Sequence, residues 1–218
     1  MDQDEVKRGV SRPLLIIVIL VFALLFTGLG ISLSRGPITA WDVDLSAALH
    51  GLNIPFVTHL MLFVTWTGEP IAAALTILLV LVFWLRSQRR RAILFAVCVG
   101  GAALANEGLK RLFTRTRPDL FPPLAREIGF SFPSGHTTTA AALYGLSAIL
   151  LYRSGHRASA VILVLWVLLV GTSRIYLAVH WPSDVLGSLL FSASWLLAVF
   201  TLDDFSLRRR EASPQKER

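Results

Sequence analysis

Apolar residues in this chain fall in long runs separated by short clusters of charge. Leu14 to Leu33 is about twenty residues without a charge, enough for a helix to cross a hydrocarbon layer roughly 30 Å thick. The run exceeds the usual signal-peptide core and lacks a clear small-residue cleavage site, which predicts a retained anchor. Further runs near 57–85, 92–112, 135–152, 158–177 and 183–202 bring the predicted bundle to six helices. The run at 57–85 is overlong and contains Gly68-Glu69-Pro70. Proline removes a backbone donor, so a break is expected there, with a short interfacial piece before the true span.

Between the first two runs, segment 35–58 has a tryptophan and mixed polarity. It predicts a short helix lying at the interface, near where a ligand would enter. The end of the chain, 205–218, is polar and is expected to be a disordered tail, leaving 1–204 as a single domain. The expected fold class is therefore all-α, an integral membrane bundle of six transmembrane helices.

Composition agrees with the pattern. The chain is 54% hydrophobic and 16% charged with a mean hydropathy of +0.63, whereas about a quarter of a soluble domain is charged. The net charge of +7 does not point to a nucleic-acid partner, because the cations lie between apolar runs and not along one face. The single cysteine, Cys98, sits inside an apolar run, which excludes an intrachain disulfide and a cysteine-rich zinc cluster.

Charge also sets the orientation. Of the 21 lysines and arginines, fourteen fall at the termini and in the loops near 86–91 and 153–157, and seven fall on the other side. The richer side is predicted to be cytoplasmic, with both termini inside. Five of the seven outer cations lie between Lys110 and Arg126. Positive charge placed against the usual bias suggests an anionic ligand at the outer face.

Helix parity brings three polar stretches to that face. "KRLFTRTRP", Lys110 to Pro118, ends the third helix; its cations either bind an anion or snorkel to the interface. Pro133-Ser134-Gly135-His136 opens the fourth. Ser134 can cap it, Gly135 lets a ligand approach free backbone N–H groups, and His136 stands ready to move a proton; the plainer reading is an ordinary cap beside an interfacial histidine. "SRIYLAVHWPSD", Ser173 to Asp184, ends the fifth helix with Arg174 and opens the sixth. Pro182 suits the first turn, and Asp184 can reach back to His180 and fix its tautomer; here the plainer reading is a capping aspartate. A divalent ion is poorly matched to two histidines and one carboxylate among so many cations. Taken together, the stretches supply what phosphoryl transfer needs: cations for the equatorial oxygens, a group to attack, and a group to protonate the leaving oxygen.

These residues resemble the type 2 phosphatidic acid phosphatase superfamily of membrane lipid phosphatases. Its three motifs stand in order: Lys110, Arg117 and Pro118; Pro133 to His136; and Ser173, Arg174, His180 and Asp184. The motif region covers roughly 110–184. The resemblance implies that His180 is the nucleophile, forming a phosphohistidine, with Asp184 orienting it and His136 acting as general acid. Lys110, Arg117, Ser134, Gly135 and Arg174 would bind the phosphate. It implies no metal and no other cofactor. The implied substrate is a membrane lipid phosphate or diphosphate: undecaprenyl diphosphate, phosphatidylglycerophosphate or phosphatidic acid. The implied location is the cell (inner) membrane, with the site facing the periplasm or exterior. Arg111, Arg115 and Arg126 are extra to the motifs and are expected to meet anionic headgroups or a second phosphate. Glu107 is expected to pair with Lys110 one turn on. Glu69 is expected either to break its helix or to serve the site. Rival readings are a phosphotransferase using the same His180, and a lipid-binding or transport protein without chemistry.

Overall fold

The computed structural model describes residues 12–212, with side chains as far as Phe205. Lys7, Arg8, Lys216 and Arg218, counted above for orientation, lie outside the described residues. All regular structure described is helical: α1 (Arg12–Arg35), α2 (Ala40–His50), α3 (Pro55–Trp66), α4 (Pro70–Leu85), α5 (Arg89–Phe95), α6 (Gly101–Phe113), α7 (Gly135–Arg153), α8 (Arg157–Tyr176) and α9 (Pro182–Ala212). A π-helical turn, Ala96–Gly100, joins α5 to α6. Helix α9 runs into the stretch 205–218 expected to be a disordered tail, so that boundary moves to at least Ala212; the remaining tail, 213–218, lies outside the described residues.

Among the described residues, five stretches are long and apolar enough to cross a membrane: Arg12–Arg35, Pro55–Leu85, Arg89–Phe113, Arg157–Tyr176 and Pro182–Phe205. The sixth expected span, α7, is not among them. It is 19 residues long, but its sequence opens with threonines and alanines, and Thr137 through Leu143 are all buried in protein. Small residues let neighbouring backbones close in, and α7 packs against α4, α6, α8 and α9. Helix α1 is the opposite case. Leu24, Ile17 and Leu20 are more than half exposed, which is where an apolar side chain belongs when the solvent is lipid.

The expected break at Gly68-Glu69-Pro70 is present, and its backbone is satisfied from outside. Tyr144 Oη donates to the Thr67 carbonyl at 2.8 Å, and Trp166 Nε1 donates to Thr67 Oγ1 at 2.9 Å. Thus α7 and α8 supply partners that the interrupted helix lacks. The π turn is supported in a similar way, by Trp195 Nε1 donating to the Cys98 carbonyl at 3.0 Å. Helix α2 is the short helix expected within 35–58; its buried residues are polar, Asp42 and Ser46, and it packs on α8 and α9.

Phe132, just before α7, is buried in an aromatic cluster. Its ring stacks on Phe26 at 5.5 Å and meets the Phe113 edge at 5.1 Å between centroids. Gly187 of α9 passes directly beneath that ring; a Cβ there would collide with Phe132. Gly187→Ala should therefore lower the thermal midpoint in detergent, by an overpacking cost of about 1–3 kcal/mol. An unchanged midpoint would show that the ring has room to move.

Candidate active site

The N-terminus of α7 meets the C-terminus of α6. Thr114 ends α6 in the left-handed region, φ 47°, leaving Lys110 in the last turn. Ser134 is the N-cap of α7, its hydroxyl accepting from Thr137 N at 3.5 Å and from Thr137 Oγ1 at 3.1 Å. Gly135 faces Lys110 and Asn106 across this junction, its Cβ position 3.6 Å from Lys110 Nζ and 3.7 Å from Asn106 Oδ1. One residue on, His136 Nδ1 lies 2.7 Å from Glu69 Oε2. The break between α3 and α4 puts Glu69 in place, and only a glycine at 68 lets the break sit so close, since a Cβ there would lie 3.3 Å from the His136 Cβ and 2.6 Å from Val170 Cγ1.

Two arginines converge from other directions. Arg174, in the last turn of α8, is buried. It donates from Nη1 to Thr65 Oγ1 at 2.6 Å and from Nη2 to Glu127 Oε1. Its Nε is buried without a partner among the described residues. Arg117 is wrapped by the loop before α7, donating to the carbonyls of Ile128, Gly129 and Phe130, and its Nη2 lies 3.4 Å from Glu127 Oε2. Burial alone would raise the Glu127 pKa, but Arg174, His136 and Arg117 outweigh it and hold the carboxyl below its usual range, so it is ionised.

His180 lies between α8 and α9 and is buried. Its Nε2 is 3.2 Å from Arg117 Nη1, and its Nδ1 is 3.4 Å from Asp184 Oδ2. A guanidinium has no lone pair to offer, so Nε2 is the acceptor and the proton resides on Nδ1, toward Asp184. Burial first, then the charges of Arg174 and Arg117, push the His180 pKa well below the ordinary histidine value. The imidazole is therefore neutral, with its free lone pair on Nε2.

Asp184 is held in turn. It accepts from Trp181 N at 2.9 Å and from Arg115 Nη1 at 2.6 Å. Arg115 Nη2 donates to Asp42 Oδ2 at 2.7 Å, and Asp42 also accepts from Ser183 N at 2.9 Å. All three charged side chains are buried. Arg115 is thus not a headgroup contact or a second phosphate ligand, as the sequence suggested; its fork is spent on Asp42 and Asp184.

Lys110, Gly135, His136 and His180 line one cavity of about 400 Å³, together with Glu69, Glu107, Glu127 and Arg111. Ser134 is fully buried behind this wall as a cap, and Arg117 and Arg174 are not part of it. Lys110 Nζ is 3.4 Å from Glu107, the pair expected from spacing. Of the extra cations, Arg111 reaches the cavity and Arg126 is exposed. Sequence reasoning missed Glu127, Asp42 and Thr65. Glu127 left a faint signal, being with Asp119 one of two acids in the basic stretch 110–134. Asp42 left none, since its partner Arg115 is 73 positions away.

Replacing Arg115 with Met would leave two buried carboxylates without their counter-charge, a loss of about 3–5 kcal/mol. The thermal midpoint in detergent should drop sharply, and removing Asp42 as well, as Arg115→Met with Asp42→Leu, should recover part of it. A midpoint unaffected by the single change would mean that the two carboxylates do not depend on Arg115.

Comparison with known proteins agrees with this geometry. Residues 91–208 match the PAP2 superfamily. Phosphatidylglycerophosphatase B of Bacillus subtilis (strain 168) is 33% identical over 184 residues, covering 80% of this chain and 88% of that protein. Undecaprenyl-diphosphatase BcrC of the same organism is 34% identical over 159 residues, covering 68% of this chain and 77% of the relative. The crystal structure of the first transmembrane PAP2 type phosphatidylglycerolphosphate phosphatase from Bacillus subtilis superposes with a TM-score of 0.77 at 27% identity, covering 91% of this chain and 98% of that one. The chain belongs to the PAP2 superfamily and is a multi-pass membrane lipid phosphatase.

Proposed function

We propose that the protein removes the terminal phosphate of a membrane lipid phosphate, without a metal, through a phosphohistidine on His180. The observation that carries this reading is a single cavity lined by two histidines, each with a carboxylate at Nδ1: Asp184 at His180 and Glu69 at His136. His180 Nε2 attacks phosphorus, the bond from phosphorus to the lipid oxygen breaks, and His136 gives that oxygen a proton. His136 then takes a proton from water as water attacks the phosphohistidine, releasing inorganic phosphate and freeing His180. Lys110, Arg117 and Arg174 hold the phosphate oxygens, and the buried Nε of Arg174 is a donor without a partner among the described residues. Gly135 offers backbone N–H at the start of α7, which Ser134 fixes by capping.

In this reading α7 completes a six-span bundle, both termini are cytoplasmic, and the site faces the outside of the cell membrane. The lysine and arginine bias supports that orientation. A surplus of outer arginines would favour a diphosphate, but Arg115 is committed to Asp42 and Asp184. Phosphatidylglycerophosphate is therefore placed first among substrates, ahead of undecaprenyl diphosphate and phosphatidic acid. The relative with the greater coverage bears the corresponding name.

The reading is tested by phosphate release from these three lipids, using purified protein in detergent with EDTA and His180→Ala as control. Release should persist in EDTA and vanish in the variant. Loss of activity in EDTA restored by a metal would overturn the metal-free reaction, and release by His180→Ala would remove His180 as nucleophile. Phosphate appearing on an added alcohol instead of in water would make the protein a transferase.

The pH dependence is a second test. Protonated His180 cannot attack, so kcat/KM rises with pH through its pKa, and the depressed pKa puts this acidic limb below the ordinary value of about 6.5. At higher pH the acid is lost and the rate falls, giving a bell. Arg117→Gln removes a cation beside His180, which favours the protonated imidazole, so the acidic limb should move to higher pH. A limb that stays in place, or moves down, would separate His180 from the rate.

A further inference from the structure

An anion already sits where the phosphate is expected to bind. The Glu127 carboxylate contacts Arg174 Nη2 through Oε1, lies 3.4 Å from Arg117 Nη2 through Oε2, and comes within 3.6 Å of His136 Nδ1. The two arginines are assigned above to the substrate phosphate, and His136 to its leaving oxygen. Glu127 also lines the cavity while both arginines lie outside its wall, so the carboxylate stands between the open space and the cations. It belongs to the stretch between α6 and α7, which has no helical hydrogen-bond ladder to hold it, and Gly129 two residues on has φ +76°.

We propose that Glu127 is a selectivity residue: its carboxylate occupies the phosphate position, and only a phosphate monoester carries enough negative charge to displace it. The inference rests on the phosphate-site reading above. A carboxylate and a phosphate cannot share two guanidinium groups, because like charges a few ångströms apart repel strongly in a partly buried site. One must leave. A phosphodiester headgroup carries a single negative charge, so replacing Glu127 by it brings no gain in charge at the arginines. A phosphate monoester carries between one and two negative charges at pH 7, its second pKa being about 6, and a dianion gains where a diester does not. It also has three terminal oxygens where a carboxylate has two, and the unpartnered Arg174 Nε is the spare donor that a third oxygen can use. In a bilayer crowded with diester lipids, such a threshold keeps the site from filling with molecules that cannot react. Specificity obtained by opposing the wrong ligand is a recognised strategy.

Full-length protein in mixed micelles would be assayed on phosphatidylglycerophosphate, with phosphatidylglycerol as the diester competitor and inorganic phosphate as the small competitor. Glu127→Gln keeps the shape and removes the charge. It should lower KM and the inhibition constant for inorganic phosphate, each about tenfold, because the fraction of empty sites rises. Inhibition by phosphatidylglycerol should strengthen by at least as much, so that selectivity for monoester over diester falls. Glu127→Asp, which keeps the charge, should stay selective. A Glu127→Gln enzyme with raised KM and unchanged phosphatidylglycerol inhibition would overturn the proposal, leaving Glu127 as a brace for the arginines. If that variant does not fold, the wild-type enzyme still decides: strong inhibition by phosphatidylglycerol at concentrations near those of substrate would overturn it, and weak inhibition would support it. Failure of the phosphatase reading would look different, since wild-type protein would then release no phosphate from any of the three lipids.

Discussion

The structure turns on one buried guanidinium. Arg115 lies between Asp42 and Asp184, and all three side chains are withdrawn from solvent. Charges in such surroundings persist only when each is paired and its remaining hydrogen-bond capacity is used. Asp42 meets this requirement through the Ser183 backbone and hydroxyl, and Asp184 through Trp181 N. The consequence is positional. α2, the loop after α6 and the start of α9 are fixed to one another by bonds that none can make elsewhere. Asp184 therefore has a defined place, and His180 takes its orientation from it. A chain with no such network could still pack its spans, because lipid accepts apolar helices in many arrangements. The charged triad selects one.

From that anchor the site is assembled from helix ends. Lys110 closes α6, His136 opens α7, Arg174 closes α8 and Asp184 opens α9. Helix ends are where backbone groups lack partners, and in a membrane they are also where polar side chains can reach one another without crossing lipid. The interruption between α3 and α4 adds a further end, bringing Glu69 to His136 and Thr65 to Arg174. The two histidines are thus treated alike at Nδ1 but differ in surroundings. His180 is sealed among cations, which keeps it neutral, whereas His136 has two carboxylates within reach. The first environment keeps a lone pair available on Nε2 of His180.

Much of this was legible in the sequence. The apolar runs gave most spans, because a bilayer demands about twenty apolar residues and nothing else in the chain mimics that pattern. The motif residues could be brought to one face by counting helix direction alone. The Ser134 cap, the Pro182 start and the Glu107 pair with Lys110 are local, and local chemistry can be read from neighbours. What could not be read is long-range. Arg115 looks in sequence like every other outer arginine, and only its contacts, 73 and 69 positions away, distinguish it. Glu127 leaves only the faint signal of an acid in a basic stretch, because its contact with Arg174 is 47 positions away. Helix α7 was counted as a span from its length, yet its threonines and alanines face protein, so composition that measures exposure to lipid passes it over.

The same distinction explains why the arginines around the cavity differ in what they can do. Arg115 has its donors consumed by two fixed carboxylates, so it can orient but cannot receive a ligand. Arg117 is held by four backbone carbonyls, of Ile128, Gly129, Phe130 and Val179, which accept hydrogen bonds but do not neutralise charge, and Arg174 Nε has no partner among the described residues. The carboxylate that reaches both of them is Glu127, on a segment without regular structure. A fixed carboxylate makes a scaffold; a movable one makes a site that an anion can enter. On the proposed reading, what separates Arg115 from Arg174 is not burial, which they share, but whether the facing carboxylate stands on a helix, as Asp42 and Asp184 do, or on a segment without regular structure, as Glu127 does.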